Sequence, residues 1–305
     1  MAIPTSRTKV NAEIRIDIDR CSGCGLCTQV CTDSNIVIAN AKAKTTAGSV
    51  FGCIACGHCM AVCPENAISI NGRTMSFSDL IPLSEKHKMA NYDELLALMQ
   101  SRRSIREFRD KNVDDDTIDK ILEYASFSPM GLPPSDVHVI VFRGKDKVNA
   151  FAKDYSDFLK GMKYITSNWF ITLMRPFWGK ANDEMFRNFI KPAVNTFTKQ
   201  MDCGRNMITY DAPLMFYFYG SPYIDPADPI IAATYAMHAG VSLGLGTCML
   251  GAIHPFLQYG KNGKLFREKY GIKYKSREGL FLIMGYPKVH YHNGLKRSFA
   301  EVKKL

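Results

Sequence analysis

The sequence predicts an α+β chain in two parts: a small domain within residues 1–75 and a larger one over 91–305, joined by a linker at 76–90. Three observations predict it. Eight of the ten cysteines are crowded between Cys21 and Cys63. Beyond them, separated apolar runs of strand length are mixed with longer helix-like segments, the pattern of an α+β domain. Between Asp228 and Lys261 no Asp, Glu, Lys or Arg occurs, which marks a helix buried on all sides, at about 229–243. A hydrophobic fraction of 46% is enough for a full core.

The first element, Ile14-Arg-Ile-Asp-Ile18, alternates like a short strand and leads into Cys21-Ser-Gly-Cys24-Gly-Leu-Cys27-Thr-Gln-Val-Cys31. The same C-x2-C-x2-C-x3-C spacing returns in Cys53-Ile-Ala-Cys56-Gly-His-Cys59-Met-Ala-Val-Cys63, followed by Pro64. This is the spacing of bacterial two-cluster [4Fe–4S] ferredoxins. Three cysteines two residues apart wrap a tight loop around one face of a cubane, and the fourth ligand comes from the other run. One cluster is therefore expected on Cys21, Cys24, Cys27 and Cys63, the other on Cys53, Cys56, Cys59 and Cys31. Thr32 stands where the pattern usually has proline and leaves the ligands untouched. Disulfides suit small secreted domains, whereas this chain opens MAIPTSRTKV with no apolar signal region, so a cytoplasmic protein is expected. Zinc calls for two separated cysteine pairs, not two runs of four. Cys203 and Cys248 read as free cysteines. A strand at Ala67–Asn71 closes the small domain.

The larger domain starts with a helix at Tyr92–Ser101, with Leu95, Leu96 and Met99 on one face. Asp114-Asp-Asp-Thr caps a second helix running to about Ala125, its acids at the positive end of the dipole. Strands are expected at Val137–Phe142, Pro213–Tyr219 and Leu280–Met284. Residues 145–210 read as a helical insertion or lid, and 261–270 as a charged helix. The uncharged helix is followed by a Gly-rich loop. Within the insertion, Trp169, Phe170, Phe177 and Trp178 either pack the helices or form a pocket wall for an aromatic substrate. The uncharged stretch is long enough to span a bilayer, but its five glycines, two prolines and two histidines argue against a membrane span. The formal charge is +10. Two oxidised clusters with their thiolates contribute about −2 each and lower it to about +6, a modest excess that suits an acidic redox partner. No basic tract with interleaved aromatics suggests nucleic acid. His138, His238 and His254 are possible proton donors, though core or surface histidines are the ordinary case.

Arg102-Arg103-Ser104-Ile-Arg106 places guanidiniums and a hydroxyl within five residues, just after a helix, either as a phosphate site or, the ordinary case for an isolated motif, as a solvated basic surface. Four stretches in order then resemble the nitroreductase family of FMN-dependent oxidoreductases, over about residues 90–305. They are Arg102-Arg-Ser-Ile-Arg106-Glu-Phe, like R-x-S-x-[RK]-x-F; Ala125-Ser-Phe-Ser128-Pro129-Met130-Gly131 before a strand; Gly244-Leu-Gly246-Thr247-Cys-Met-Leu250-Gly251, similar to G-L-G-x-x-x-x-G; and Gly285-Tyr-Pro287 followed by Lys296-Arg297.

The resemblance implies a mainly antiparallel central sheet flanked by helices and a homodimer with FMN at the subunit interface. It implies that Arg102, Ser104 and Arg297, assisted by Lys296 and Arg103, bind the FMN phosphate, and that Arg106 approaches the pyrimidine end of the ring. Ser128, Pro129, Met130 and Gly131 would line the ribityl chain and ring, and Gly246, Thr247, Leu250 and Gly251 would present backbone near the flavin N5 edge. Pro133, Ser135-Asp136 and Val137 replace the Asn, Gln-Pro and Trp usual in the family, so an amide that contacts the ring is absent. No protein acid or base is expected to be catalytic, because the flavin carries the chemistry. The expected function is an oxidoreductase that passes electrons through two [4Fe–4S] clusters to FMN and on to a small aromatic or nitro acceptor. A ferredoxin or other one-electron donor is the expected source, with NAD(P)H the alternative. The rival reading is an electron-transfer protein whose flavin serves a protein partner.

Overall fold

A computed structural model describes residues 12–131, 133 and 135–305. The opening residues, on which the absence of a signal region was read, lie outside the described residues. By contacts the chain divides into two units: Met1–Ala90 with Pro129–Val137 and Ser221–Asp228, and the remainder.

The smaller unit is built from β1 (Glu13–Ile16), α1 (Leu26–Val30), β2 (Ile36–Ala39), β3 (Lys42–Thr45), α2 (His58–Ala61) and β4 (Ile68–Asn71). β1 pairs antiparallel with β4, Ile14 opposite Ile70 and Ile16 opposite Ile68. β2 and β3 form a hairpin that the sequence reading did not anticipate. Its turn residues Asn40 and Ala41 both have positive φ, 53° and 57°, the geometry that matches strand twist in a two-residue hairpin. The core is small and includes Ile36, Ala43, Met60, Ile68 and Ile70 together with Cys21, Cys27 and Cys59. So little apolar volume makes bound clusters part of the folding energy. The stretch expected to be a linker holds two 3-10 turns, Phe77–Asp79 and Lys86–Lys88.

The larger unit opens with α3 (Tyr92–Ser101). Its capping box pairs Asn91 with Glu94: the Glu94 N–H donates to the Asn91 side chain, and the Asn91 N–H to the Glu94 carboxylate. α4 (Asp115–Ser126) is capped by Asp114, which accepts from the Thr117 N–H at 2.8 Å. After β5 (Val137–Arg143), the helical region resolves into α5 (Lys145–Gly161), α6 (Asn168–Met185), a π-helical turn at Phe186–Ile190 and α7 (Lys191–Asp202). Non-helical backbone at Gly179 kinks α6. Then come β6 (Leu214–Gly220), α8 (Asp228–Ser242), β7 (Gly246–Leu250), α9 (His254–Leu257), α10 (Gly260–Lys269) and β8 (Gly279–Gly285).

The sheet order is β5-β6-β8-β7, and both β6 and β7 run antiparallel to β8. β6 and β8 are buried along their whole lengths, and Tyr217 stacks on Phe281 with ring centroids 4.0 Å apart. The expected Gly-rich loop after the uncharged helix is a short turn at Leu243–Gly244, where Gly244 has φ 80°, and from Gly246 the chain is already the strand β7. Its glycine is a packing requirement: a Cβ on Gly246 would come within 2.7 Å of Ile105. The uncharged segment forms α8, buried or half-buried until Ser242. Among the described residues no helix is long and apolar enough to cross a membrane. In α6, Trp169 and Phe177 are exposed, whereas Trp178 stacks on Phe186 at 4.5 Å.

Candidate functional site

The eight cysteines of the two runs are unbridged and sort into two cavities. One is lined by Cys21, Cys24, Cys27 and Cys63, the other by Cys31, Cys53, Cys56 and Cys59. In each, the fourth cysteine crosses over from the other run. Backbone N–H groups point at the sulfurs: Ala43 to Cys21 at 3.4 Å, Asn35 to Cys31 at 3.3 Å and Ala67 to Cys63 at 3.3 Å. Such donors stabilise anionic sulfur and tune cluster potentials.

The Cys21 loop depends on the hairpin. β3 supplies the Ala43 donor, and Lys42 donates to the Cys21 carbonyl at 2.6 Å. Gly23 sits against the hairpin turn with φ +72°, and a Cβ there would fall 2.0 Å from the Ala41 carbonyl oxygen. Burial pushes the Cys59 thiol up to about 12, with repulsion from Cys56, Cys53 and Cys31 adding to it. Burial likewise raises Cys27, helped by Cys24 and Cys21. Thiols crowded this way become thiolates only against positive metal. Among the described residues no group of three or more His, Cys, Asp or Glu converges on a single metal ion. The cysteines ring two cavities, four to each, an arrangement suited to a polynuclear cluster.

In the larger unit, an open cavity of ≈ 980 Å³ is lined by Arg102, Arg103, Gly246, Thr247, Lys296 and Arg297, among others. Arg102 caps the C-terminus of α3. The following segment runs beside the sheet, the Ile105 N–H donating to the Thr247 carbonyl at 2.9 Å and the Arg109 N–H to Tyr286 at 2.8 Å. These bonds fix the arginines over the end of β7. Burial lowers the Arg102 pKa, and the charges of Arg297 and Arg103 lower it further. The Arg103 Nη2 and the Thr247 Oγ1 are buried without a hydrogen-bond partner. Unpaired buried donors are rare and costly, and here they sit with four cationic side chains at one cavity. That arrangement fits the phosphate of a bound ligand.

Several expected residues stand apart from this lining. Ser104 bridges to Thr247 through the backbone, while its hydroxyl, like the Arg106 guanidinium, interacts with the buried Cys248 thiol. Arg106 also lies over the Tyr210 ring at 5.5 Å. Leu250 packs against the core and Gly251 is exposed. Ser128 is buried beyond the end of α4, and Pro129, Met130 and Gly131 group with the cysteine-rich unit. The sequence reading missed His290, Tyr291, His292 and Gly294, which line the cavity from an extended tail without periodic signal. It also missed that His238 on α8 lies close enough to Arg102 for that charge to depress its pKa, after burial. Of the other histidines, His138 stacks on Tyr219, and His254 is buried with its Nδ1 2.9 Å from the Tyr217 hydroxyl.

The pattern of the Nitroreductase family matches residues 99–286. The chain belongs to the nitroreductase family. A 4Fe-4S dicluster domain is matched separately over residues 13–64, so this nitroreductase carries its cluster domain in the same chain. No curated protein matches it. Among solved structures, it is similar to an FMN-bound nitroreductase from Bacteroides fragilis, at 16% identity and TM-score 0.51, covering 70% of this chain and 98% of that one. It is similar as well to an FMN-bound nitroreductase from Desulfitobacterium hafniense, at 19% identity and TM-score 0.51, covering 71% and 100%. These likenesses establish the nitroreductase fold of the larger domain.

Proposed function

We propose that this nitroreductase is an FMN- and iron–sulfur-dependent oxidoreductase that takes electrons singly from a protein donor and delivers them in pairs to a small acceptor. The observation that carries the reading is the cavity where Arg102, Arg103, Lys296 and Arg297 meet the unpartnered Thr247 hydroxyl, in a chain with two complete cluster motifs. Arg102, Arg103 and Arg297 hold the FMN phosphate, and Lys296 adds a point charge. The Thr247 hydroxyl and the backbone of β7 orient the ligand beside them. When bound, FMN supplies the exchange between one-electron and two-electron chemistry, and hydride delivery from N5. His238 and Arg102 share one corner, where burial first and the Arg102 charge second favour a neutral imidazole. His254, buried and bonded to Tyr217, is structural and not a proton donor to substrate.

The cluster domain favours a one-electron donor such as a ferredoxin over NAD(P)H. The acceptor is a small aromatic, nitro or quinone-like molecule, and the active form is a cytoplasmic homodimer. The exposed apolar face of α3, with Tyr92, Leu95, Leu96 and Met99, supports a partner subunit. Anaerobically purified protein should contain about eight irons and one FMN per chain. Iron without flavin would overturn the enzyme reading.

A further inference from the structure

The helix α6 is apolar on two sides. Ile171 is fully buried, whereas Trp169, Leu173 and Phe177, four residues apart, form an outward stripe that is 63%, 58% and 79% exposed. A continuous exposed face of large apolar side chains marks an interaction site. Gly179, at φ 75°, bends the chain beyond this stripe. Two bonds then lay the returning segment along α6: the Lys191 ammonium donates to the Asn168 side-chain oxygen at 2.6 Å, and the Arg187 guanidinium to the Thr172 hydroxyl at 2.9 Å. The result is a helical hairpin, which also carries the exposed Phe189. It lies wholly within the larger unit.

Charge says what covers the stripe. Residues 163–191 hold five basic side chains against two acids. Both acids are engaged, Asp183 with Arg187 at 3.0 Å and Glu184 with Lys180 at 3.7 Å. The hairpin keeps a net charge of +3, and Lys163 and Arg175 are exposed on it. A second copy seated on this face would set that charge against itself, because a two-fold interface brings the same patch of both subunits together. Residues 168–178, ahead of the bend, make about 16 Å of helix, roughly half the thickness of a bilayer core. An apolar face too short to cross, bearing Trp and Phe and accompanied by Lys and Arg, is the composition of a helix that lies in a membrane interface.

We propose that the α6 hairpin seats this nitroreductase on an anionic lipid surface. Trp169, Leu173 and Phe177 enter the headgroup boundary, where Trp is favoured. Lys163 and Arg175 face lipid phosphates, and their attraction fades within a Debye length of the surface. The attachment is peripheral and reversible, and it depends on neither the clusters nor FMN.

The test uses the anaerobically purified full-length protein and vesicles of phosphatidylcholine mixed with phosphatidylglycerol, against phosphatidylcholine alone. The protein should sediment with the anionic vesicles, and added salt should release it. Trp169 and Trp178 are the two tryptophans of the chain, so tryptophan emission should shift to the blue on binding, and Trp169→Phe should bind without the shift. Leu173→Ser/Phe177→Ser removes exposed side chains; it should keep the wild-type melting temperature and lose sedimentation. Lys163→Glu/Arg175→Glu leaves the apolar stripe intact and should weaken binding by about tenfold or more, which keeps the test decisive if the first variant misfolds. Wild type that ignores anionic vesicles, or binds neutral ones equally well, overturns the proposal, as does undiminished binding by the charge variant. A wild-type dimer that Leu173→Ser/Phe177→Ser splits into monomers assigns the stripe to a second copy and overturns it too.

Discussion

Arg103→Ala separates ligand binding from folding, because only the first of the two readouts should move. In the ligand-free protein the Arg103 Nη1 donates to the Arg102 carbonyl at 2.6 Å, while Nη2 is buried with no acceptor. A Cβ on Gly294 would approach that nitrogen to 3.3 Å, so the tail passes directly over it. A hydrogen bond to a charged group contributes about 1.5–3 kcal/mol. With tenfold in affinity for every 1.4 kcal/mol, losing the Nη2 bond to the phosphate should weaken FMN binding roughly 10- to 150-fold. The same truncation removes an unsatisfied buried donor whose desolvation costs about 1–3 kcal/mol, against the lost packing of the arginine stem and the lost bond from Nη1 to the Arg102 carbonyl. These nearly offset, so the apoprotein should melt near the wild-type temperature. FMN fluorescence quenching on titration with apoprotein gives the affinity, and calorimetry of the same sample gives the melting temperature. Arg103→Lys should fall between, since it keeps the charge and loses the planar fork. Unchanged FMN affinity in Arg103→Ala would refute the reasoning, as would an affinity loss that merely tracks a fall in apoprotein melting temperature.

Three further outcomes are expected. Gly23→Ala drives a Cβ to 2.0 Å from the Ala41 carbonyl at a φ of +72°, so iron content should drop from about eight to about four per chain, read by iron assay. Gly246→Ala pushes a methyl to within 2.7 Å of Ile105; overpacking of this kind costs about 1–3 kcal/mol, which denaturant unfolding of the apoprotein should register together with weaker FMN retention. Burial holds the His254 pKa below its usual 6.5. The unfolded chain therefore takes up a proton near that value while the folded protein does not, and stability is full above about pH 6.5 and falls as the pH drops toward the depressed folded value. His254→Gln should flatten that part of the stability profile between pH 7.5 and 5.5, and an equally steep fall in the variant would assign the acid sensitivity elsewhere.

What the sequence revealed, and what it hid, follows from how local each determinant is. The start of α4 was readable because Asp114 and Thr117 bond across three residues, whereas α3 was read from its apolar face and its equally local Asn91–Glu94 box went unused. The partition of the cysteines was readable because the repeated C-x2-C-x2-C-x3-C spacing is that of two-cluster ferredoxins, in which the fourth ligand comes from the other run. The β2–β3 hairpin escaped notice because its turn is Asn40-Ala41, with no glycine to announce the positive φ at both positions. The Gly-rich signal after α8 misled only in its second glycine: Gly244 turns the chain at φ 80°, but Gly246 is small because Ile105 lies against it.

The same distinction governs the candidate site. Arg102 and Arg103 are adjacent in sequence, yet their electrostatic meaning comes from Arg297, which the fold returns to the same cavity along with the histidine-bearing tail. Like charges so placed, with an unpaired donor between them, are a cost to the ligand-free chain that no local propensity requires. Asp228 and Gly131 repeat the pattern, a buried carboxylate spent on one backbone N–H beside a cluster cavity. In both places the fold maintains an arrangement that packing alone would have discarded, and at the arginines the missing compensation is what the site would hold, an anion.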